Sequence, residues 1–309
     1  MGKMRLVTRS DFDGLVCAML FKEMDMIDEI KFVHPKDIQD GKIDITENDI
    51  TTNLPFDPRV GLAFDHHESE LLRNSEDAFK GKYICIGGAK SASRVVYDYY
   101  GGKDKFRQVS TEIMEAVDKG DSADFTKDEI LNPEGWVLMN FIMDARTGLG
   151  RFHDFRISNY DLMMELIDYC VDHPVEEVLA LPDVRERVDM YFEQQELFKE
   201  QLKKCIRIEG KVGVLDLRNE EIIYTGNRFM IYAMYPEIEI SIHVAWGFKK
   251  QNTAVMIGKS IINRSSDFDI GALCLSYGGG GHVNAGTCQI DNDKVDRELP
   301  VIVDKINRG

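Results

Sequence analysis

The sequence predicts an α/β protein: an N-terminal parallel sheet with flanking helices, a long connector helix, and a smaller C-terminal α/β domain. Three observations carry this. Apolar runs at Met4–Thr8, Ile30–His34, Ile50–Thr52, Val60–Phe64 and Tyr83–Ile86 alternate with helical or loop segments, the pattern of a parallel sheet covered by helices. A charged helical stretch from Asp183 to Ile206 follows Pro182 and is closed by Gly210, which reads as a connector. Strands then return at Lys211–Leu215, Glu239–Phe248 and Thr253–Ile262. The expected boundaries are 1–182, 183–208 and 209–309.

The first strand is Met4-Arg5-Leu6-Val7-Thr8. A helix from Gly14 to Met26 carries apolar Leu15, Cys17, Met19, Leu20 and Met24. Between them, Ser10-Asp11-Phe12-Asp13-Gly14 puts two aspartates one residue apart at a strand-to-helix turn. They can point oxygens at hard cations while Gly14 permits the tight turn. An Asp-rich helix cap explains such a turn at least as often, and a calcium loop is excluded because no Glu stands at the required distance. Further helices are expected at Ser91–Tyr100, Lys105–Asp118, Glu134–Asp144 and Tyr160–Val171.

Asp65-His66-His67 follows the apolar run Val60-Gly61-Leu62-Ala63-Phe64. Open α/β sheets place ligands at the C-terminal ends of such strands. One carboxylate and two imidazoles there can bind a divalent ion and still leave a side chain for a substrate proton or oxygen. Near the other end, Ser276-Tyr277-Gly278-Gly279-Gly280-Gly281-His282 removes side chains where backbone N–H groups would approach an anion. Arg264, closing the run Ala254–Ile262, offers a planar fork of donors to the same anion. A lone glycine run is ordinarily a flexible loop; the His and the Arg tied to it favour phosphate.

Asp144 to Arg156 concentrates Arg146, Arg151, Arg156, two glycines and His153 between helices. A basic lip that binds a leaving group and a surface loop of ion-paired arginines explain it equally well. Lys103, Lys105 and Arg107 read as a solvated helix start, and Trp136 and Trp246 as core.

These motifs, in this order, resemble the DHH phosphoesterase superfamily with its DHHA1 C-terminal domain, whose members include RecJ-like exonucleases, oligoribonucleotide and pAp phosphatases, cyclic-dinucleotide phosphodiesterases and exopolyphosphatase-like proteins. The resemblance covers essentially the whole chain. It implies a hydrolase using one or two divalent ions, Mn2+ or Mg2+, held by Asp11, Asp13, His66 and Asp121, with Asp118 the second choice for the last. It gives Asp65 the orienting of a His ring, and His67 contact with the phosphate or protonation of the leaving group. Arg264, Gly279, Gly280, Gly281 and His282 would grip the substrate phosphate, and the site would lie in a cleft between the domains. Two positions depart from the family pattern: Arg9 stands where many members have a His, and Asn53 where many have a bridging Asp. An arginine cannot ligate a metal, and a neutral amide bridges two ions poorly. Arg9 would then supply a fixed cation to the phosphate.

Composition sets the outer limits. The net charge of −16 argues against wrapping a long duplex, whose binding is dominated by phosphate contacts, and favours a small phosphorylated substrate: a short oligonucleotide, a dinucleotide, a pAp-like nucleotide or polyphosphate. The six scattered cysteines form no CxxC pair and read as reduced thiols of a cytoplasmic protein. No run approaches the ~20 apolar residues of a membrane helix, so no membrane partner is expected. Exposed edge strands could support a homodimer. Arg9 and Asn53 keep open a non-hydrolytic nucleotide-binding or regulatory module. A dehalogenase-type phosphatase built on Asp11 and Asp13 leaves Asp65-His66-His67 without a role.

Overall fold

The computed structural model describes residues 2–67, 81–86, 88–152 and 154–309. The chain divides into two compact units, Met1–Phe125 with Pro133–Met190, and Thr126–Asn132 with Tyr191–Gly309. The expected connector is one helix, Pro182–Cys205, and the division falls inside it rather than at its start. Residues 126–132, placed in the first domain by the sequence, group with the second unit. There Asn227 Nδ2 donates to Ile130 O at 3.0 Å and Gln195 Nε2 to Leu131 O at 3.3 Å.

In the first unit β1 (Met4–Thr8), β2 (Ile27–Phe32), β3 (Asp49–Thr52), β4 (Leu62–Asp65) and β5 (Tyr83–Cys85) form one sheet. Its order is β2-β1-β3-β4-β5 and every pairing is parallel. The chain leaves β1 for one side of the sheet and returns through β3 on the other. The carboxyl ends of β1 and β3 therefore form the switch point where open sheets bind ligands. Asp11, Asn53 and Asp65 stand at or just beyond the ends of β1, β3 and β4.

The helix Phe12–Glu23 is buried without a break from Phe12 to Phe21, as an all-round apolar helix must be. It begins two residues before the expected Gly14 because Asp11 caps it, accepting from Gly14 N. Gly14 is needed for a reason other than turn conformation: a Cβ there would stand 1.9 Å from Arg9 O. The helix expected from Lys105 starts at Thr111, where Ser110 caps it, and runs to Asp121. Arg187 is 1% exposed; it donates to Asn159 Oδ1, Asp183 O and Ile157 O and lies over Phe155.

The second unit holds β6 (Ile206–Glu209), β7 (Val212–Asp216), β8 (Ile240–Trp246), β9 (Thr253–Lys259), β10 (Gly280–His282) and β11 (Ala285–Ile290). Their order is β10-β11-β9-β8-β7-β6, with β7–β8 the parallel pair. Ile240, Ile242, Val244, Val255, Ile257 and Cys288 meet the helices Ile270–Ser276 and Val295–Arg308 in one core. Among the described residues no helix is long and apolar enough to cross a membrane.

Candidate metal centre

Asp65 organises the centre. Its Oδ1 accepts from His66 N at 2.8 Å, His67 N at 3.2 Å and His67 Nδ1 at 2.7 Å, and its Oδ2 accepts from Tyr83 OH at 3.0 Å. The carboxylate is 2% exposed and thus filled by protein donors. Because a carboxylate only accepts, His67 carries its proton on Nδ1, which makes Nε2 the unprotonated nitrogen of the neutral ring. Burial raises Tyr83, and the neighbouring Asp65 charge raises it further, so its hydroxyl stays a donor.

His66 is set by the same logic. Its Nδ1 lies 3.1 Å from Ala89 O, and a carbonyl can only accept. Nε2 then faces Asp121 Oδ2 at 2.9 Å, close enough for an ion pair but off the line an N–H would need, so the nitrogen has no hydrogen-bond partner. Burial alone would lower His66; the Asp121 carboxylate outweighs it and lifts the imidazole to about 9. His66 in turn holds Asp121 down, against the burial that would raise it. Nitrogen and oxygen each bring a lone pair to one point, where a proton or a cation must stand.

Asp13 is 2% exposed. Its Oδ1 accepts from Ser93 N at 2.8 Å and Ser93 Oγ at 2.6 Å, its Oδ2 from Asn53 Nδ2 at 2.9 Å and Ala92 N at 3.3 Å. Burial, with Asp121 and Asp11 nearby, still raises it to about 7. Burial also raises Asp11, opposed by Arg9, whose Nε lies 3.0 Å from Asp11 Oδ2. Asn53 holds φ +54°, a left-handed conformation that asparagine tolerates, and its Oδ1 is buried with no partner.

The donor set fits a divalent ion. Two buried polar atoms, His66 Nε2 and Asn53 Oδ1, have no hydrogen-bond partner among the described residues, and Asp11 and Asp121 bring carboxylates to the same site. The 2.9 Å between His66 Nε2 and Asp121 Oδ2 matches the edge of an octahedron with ligands ~2.1 Å from its centre. Ligand atoms of Asp65, His66 and His67 lie within 4.8 Å of one another. Asp65 and Asp13 are engaged by four protein donors each, so they position and charge the site more than they offer lone pairs.

The other predicted residues fall as follows. Asp118 is apart from the cluster: it accepts from Ser91 Oγ and from Arg94 Nε and Nη2. In the basic segment, Arg156 pairs with Asp183 and Arg151 lies against Gly148. Arg146, held by Asp144 at 2.7 Å, feels the charges of Asp11 and Asp121; the sequence flagged its segment without singling it out. His153 lies outside the described residues. Ser93, Ala92 and Tyr83 were missed, since a hydroxyl or N–H that serves a carboxylate leaves no signature in one sequence.

In the second unit the glycine run is an antiparallel hairpin rather than a loose loop. Gly280, Gly281 and His282 pair with Thr287, Gly286 and Ala285. A Cβ on Gly279 would stand 2.1 Å from Thr287 O, one on Gly281 2.3 Å from Ala285 O, and one on Gly280 would meet nothing within 4 Å. His282 and Arg264 are exposed, and Arg264 Nε donates to Ile261 O at 2.9 Å. Trp136 is core as read, stacked on Phe12, and the Trp246 indole N–H donates to Arg218 O at 2.7 Å.

Over its whole length the chain is similar to the pGpG-specific phosphodiesterase PggH of Vibrio cholerae: 53% identity, 99% of each chain covered, TM-score 0.81. RecJ of Thermus thermophilus in complex with Mn2+ shares 13% identity over 99% of this chain and 52% of that one, TM-score 0.49. Exonuclease RecJ bound to manganese shares 13% over 99% and 90%, TM-score 0.43. No protein-family model and no curated protein matches the chain.

Proposed function

Because this chain belongs to the DHH phosphoesterase superfamily and is a phosphohydrolase acting on a small phosphorylated substrate, we propose that its substrate is the linear dinucleotide pGpG. Water attacks the bridging phosphorus, the bond to the 3′-oxygen breaks, and two GMP molecules leave. The observation that carries this is the 53% identity, spanning 99% of both chains, to a pGpG-specific phosphodiesterase.

His66, Asp121, Asp11 and the Asn53 amide oxygen would hold a divalent cation, Mn2+ or Mg2+, with Asp13 adding charge from behind. Bound there, the ion supplies Lewis acidity, neutralising phosphoryl oxygens and easing deprotonation of the attacking water. Asp65 holds the Nδ1 proton of His67 and fixes the ring, so that Nε2 is the atom that would contact the phosphate or, in the doubly protonated ring, pass a proton to the departing 3′-oxygen. Arg9, beside Asp11 at 3.0 Å, places a permanent positive charge at the site and would offset phosphate charge directly. In the second unit, the exposed Arg264 and His282, beside the Gly279–Gly281 hairpin, would be phosphate-binding groups; the Gly279 N–H itself is taken by Cys274 O at 2.9 Å.

The test is chromatography of reactions with pGpG, cyclic di-GMP, pAp, polyphosphate and a longer oligoribonucleotide, with Mn2+ and with EDTA. Conversion of pGpG to GMP that needs the metal and falls with His66→Ala is the expected result. Preferential turnover of any other substrate overturns the assignment.

A further inference from the structure

Between Asp144 and Arg156 the sequence offers a basic lip or a loop of ion-paired arginines, and the three arginines divide between these readings. Arg156 is engaged by Asp183, its Nε donating to Oδ1 at 2.9 Å, and Arg151 lies against Gly148. Arg146 differs. It stands in the short helical turn Ala145–Thr147, where its backbone N–H donates to Asp144 Oδ1 at 2.9 Å and its side-chain Nε donates to the same oxygen at 2.7 Å. These bonds use only the inner nitrogen of the guanidinium. Nη1 and Nη2 make no hydrogen bond among the described residues, and the side chain is 53% exposed.

An exposed arginine alone would be ordinary surface, but two observations tie this one to the metal centre. First, the turn is anchored beside Asp121. The helix Gly135–Met143 leads into it, and Asn140 packs so closely on Gly120, the residue before Asp121, that a Cβ there would stand 1.7 Å from Asn140 Nδ2. Asp144 N donates to Asn140 O at 3.0 Å and Thr147 Oγ1 to Phe141 O at 2.6 Å, which fastens the turn to the end of that helix. Second, burial acts to lower Arg146, but Asp144 raises it and the charges of Asp11 and Asp121 raise it further. Among the described residues Arg146 pairs with Asp144 and with neither of these two. It is within electrostatic reach of the carboxylates yet not bonded to them, and a space between a fixed cation and carboxylates that would hold a metal suits an anionic oxygen. We propose that Arg146 binds the scissile phosphate, its two terminal N–H groups holding a nonbridging oxygen. A guanidinium offers that oxygen a planar fork of charge-assisted donors, and its charge stabilises the negative charge that builds on the phosphoryl oxygens in the transition state. Asp144 is the positioning residue, since it fixes the fork by holding Nε. The proposal rests on the reading that the phosphate cut by this enzyme sits at His66 and Asp121.

The test measures hydrolysis of pGpG and of bis(p-nitrophenyl) phosphate, a diester with neither a base nor a terminal phosphate, in Mn2+. The proteins are the unsubstituted chain, Arg146→Lys, Arg146→Gln and His66→Ala, with Mn2+ affinity and Tm measured alongside. Arg146→Gln should lower kcat/KM on both substrates about 100-fold, most of it in kcat, while Mn2+ binds no more weakly and Tm is unchanged. Arg146→Lys keeps the charge but loses the fork, and should fall between. Full activity of Arg146→Gln overturns the assignment. So does a loss matched by weaker Mn2+ binding or a lower Tm, which a structural role would give, and so does a loss on pGpG alone, which would move the contact to the nucleotide's other groups. If pGpG is not turned over, the aryl diester still reads Arg146, so that the two readings fail separately. Full activity of His66→Ala removes the metal-centre reading, and this proposal falls with it.

Discussion

One atom at Asn53 decides how much negative charge the candidate metal centre must tolerate. Asn53 Nδ2 donates to Asp13 Oδ2 at 2.9 Å. Asn53→Asp replaces that donor with an anion, at a φ of +54° that Asp also accepts. Without metal, two carboxylates at this distance would repel by roughly 6 kcal/mol at an effective dielectric of ~20. Keeping a proton between them is the cheaper escape: at pH 7 it costs about 4 kcal/mol for a carboxyl whose unfolded pKa is ~3.9, and the shared proton restores the lost hydrogen bond. Asp13 already lies at about 7, so part of this cost is present in the parent protein, and the added loss is about 2–4 kcal/mol. The sign follows from the raised folded pKa. The penalty is absent below the unfolded value and grows as pH rises towards the folded one, so at pH 5 it shrinks to about 1.5 kcal/mol. Urea unfolding of both proteins in EDTA at pH 5 and pH 7, repeated with Mn2+, measures it. The metal should narrow the gap, because the new carboxylate becomes a ligand. A loss that is independent of pH, or none at pH 7, would refute the reasoning.

Three further outcomes follow from the geometry. Asp65→Ala releases His67 Nδ1, and kcat should fall about 10–100-fold with little change in far-UV circular dichroism; unchanged kcat would remove the orienting role. In the second unit, burial and the nearby Arg228 hold His243 down at about 4, so it is neutral in the fold and charges on unfolding. Stability is then whole above pH ~6.5 and declines as pH falls towards 4, by about 1–3 kcal/mol; His243→Gln should flatten that part of the urea-midpoint profile. In the glycine hairpin, Gly279→Ala forces a Cβ to 2.1 Å from Thr287 O and should cost about 1–3 kcal/mol. Gly280→Ala meets nothing within 4 Å and should leave Tm unchanged, so any activity it loses reports on the substrate.

The parallel sheet and the positions of Asp11, Asp13 and Asp65-His66-His67 could be read from the sequence because a strand end is marked locally, by an apolar run that stops at charge. What each carboxylate does there could not. Asp13 and Asp65 look alike in sequence to Asp11 and Asp121, but Ser93, Ala92 and Asn53 fill one and the two His and Tyr83 fill the other. Asp118 and Asp121 were separable only through Arg94, which claims the former. β10 escaped for another reason: glycines carry no alternation of apolar and polar side chains, so a paired strand reads as a loop. Residues 126–132 could not be assigned to the second unit because their partners are remote in the chain.

That remoteness has a consequence for how the protein is made. The amide of Asn227 reaches Ile130 O across 97 residues. On the ribosome, at ~5–20 residues per second, the helix Lys127–Leu131 therefore waits roughly 5–20 s for the chain that receives it. During that wait Ile130, wholly buried in the finished protein, has no core to enter. The waiting segment lies in the chain between Asp121 and Trp136, so the first unit cannot mature as an uninterrupted N-terminal product. A nascent chain arrested before residue 227 should leave this helix open to protease, and one arrested after residue 309 has cleared the exit tunnel should protect it. The side chains of the candidate metal centre, from Arg9 to Asp121, have by then already emerged.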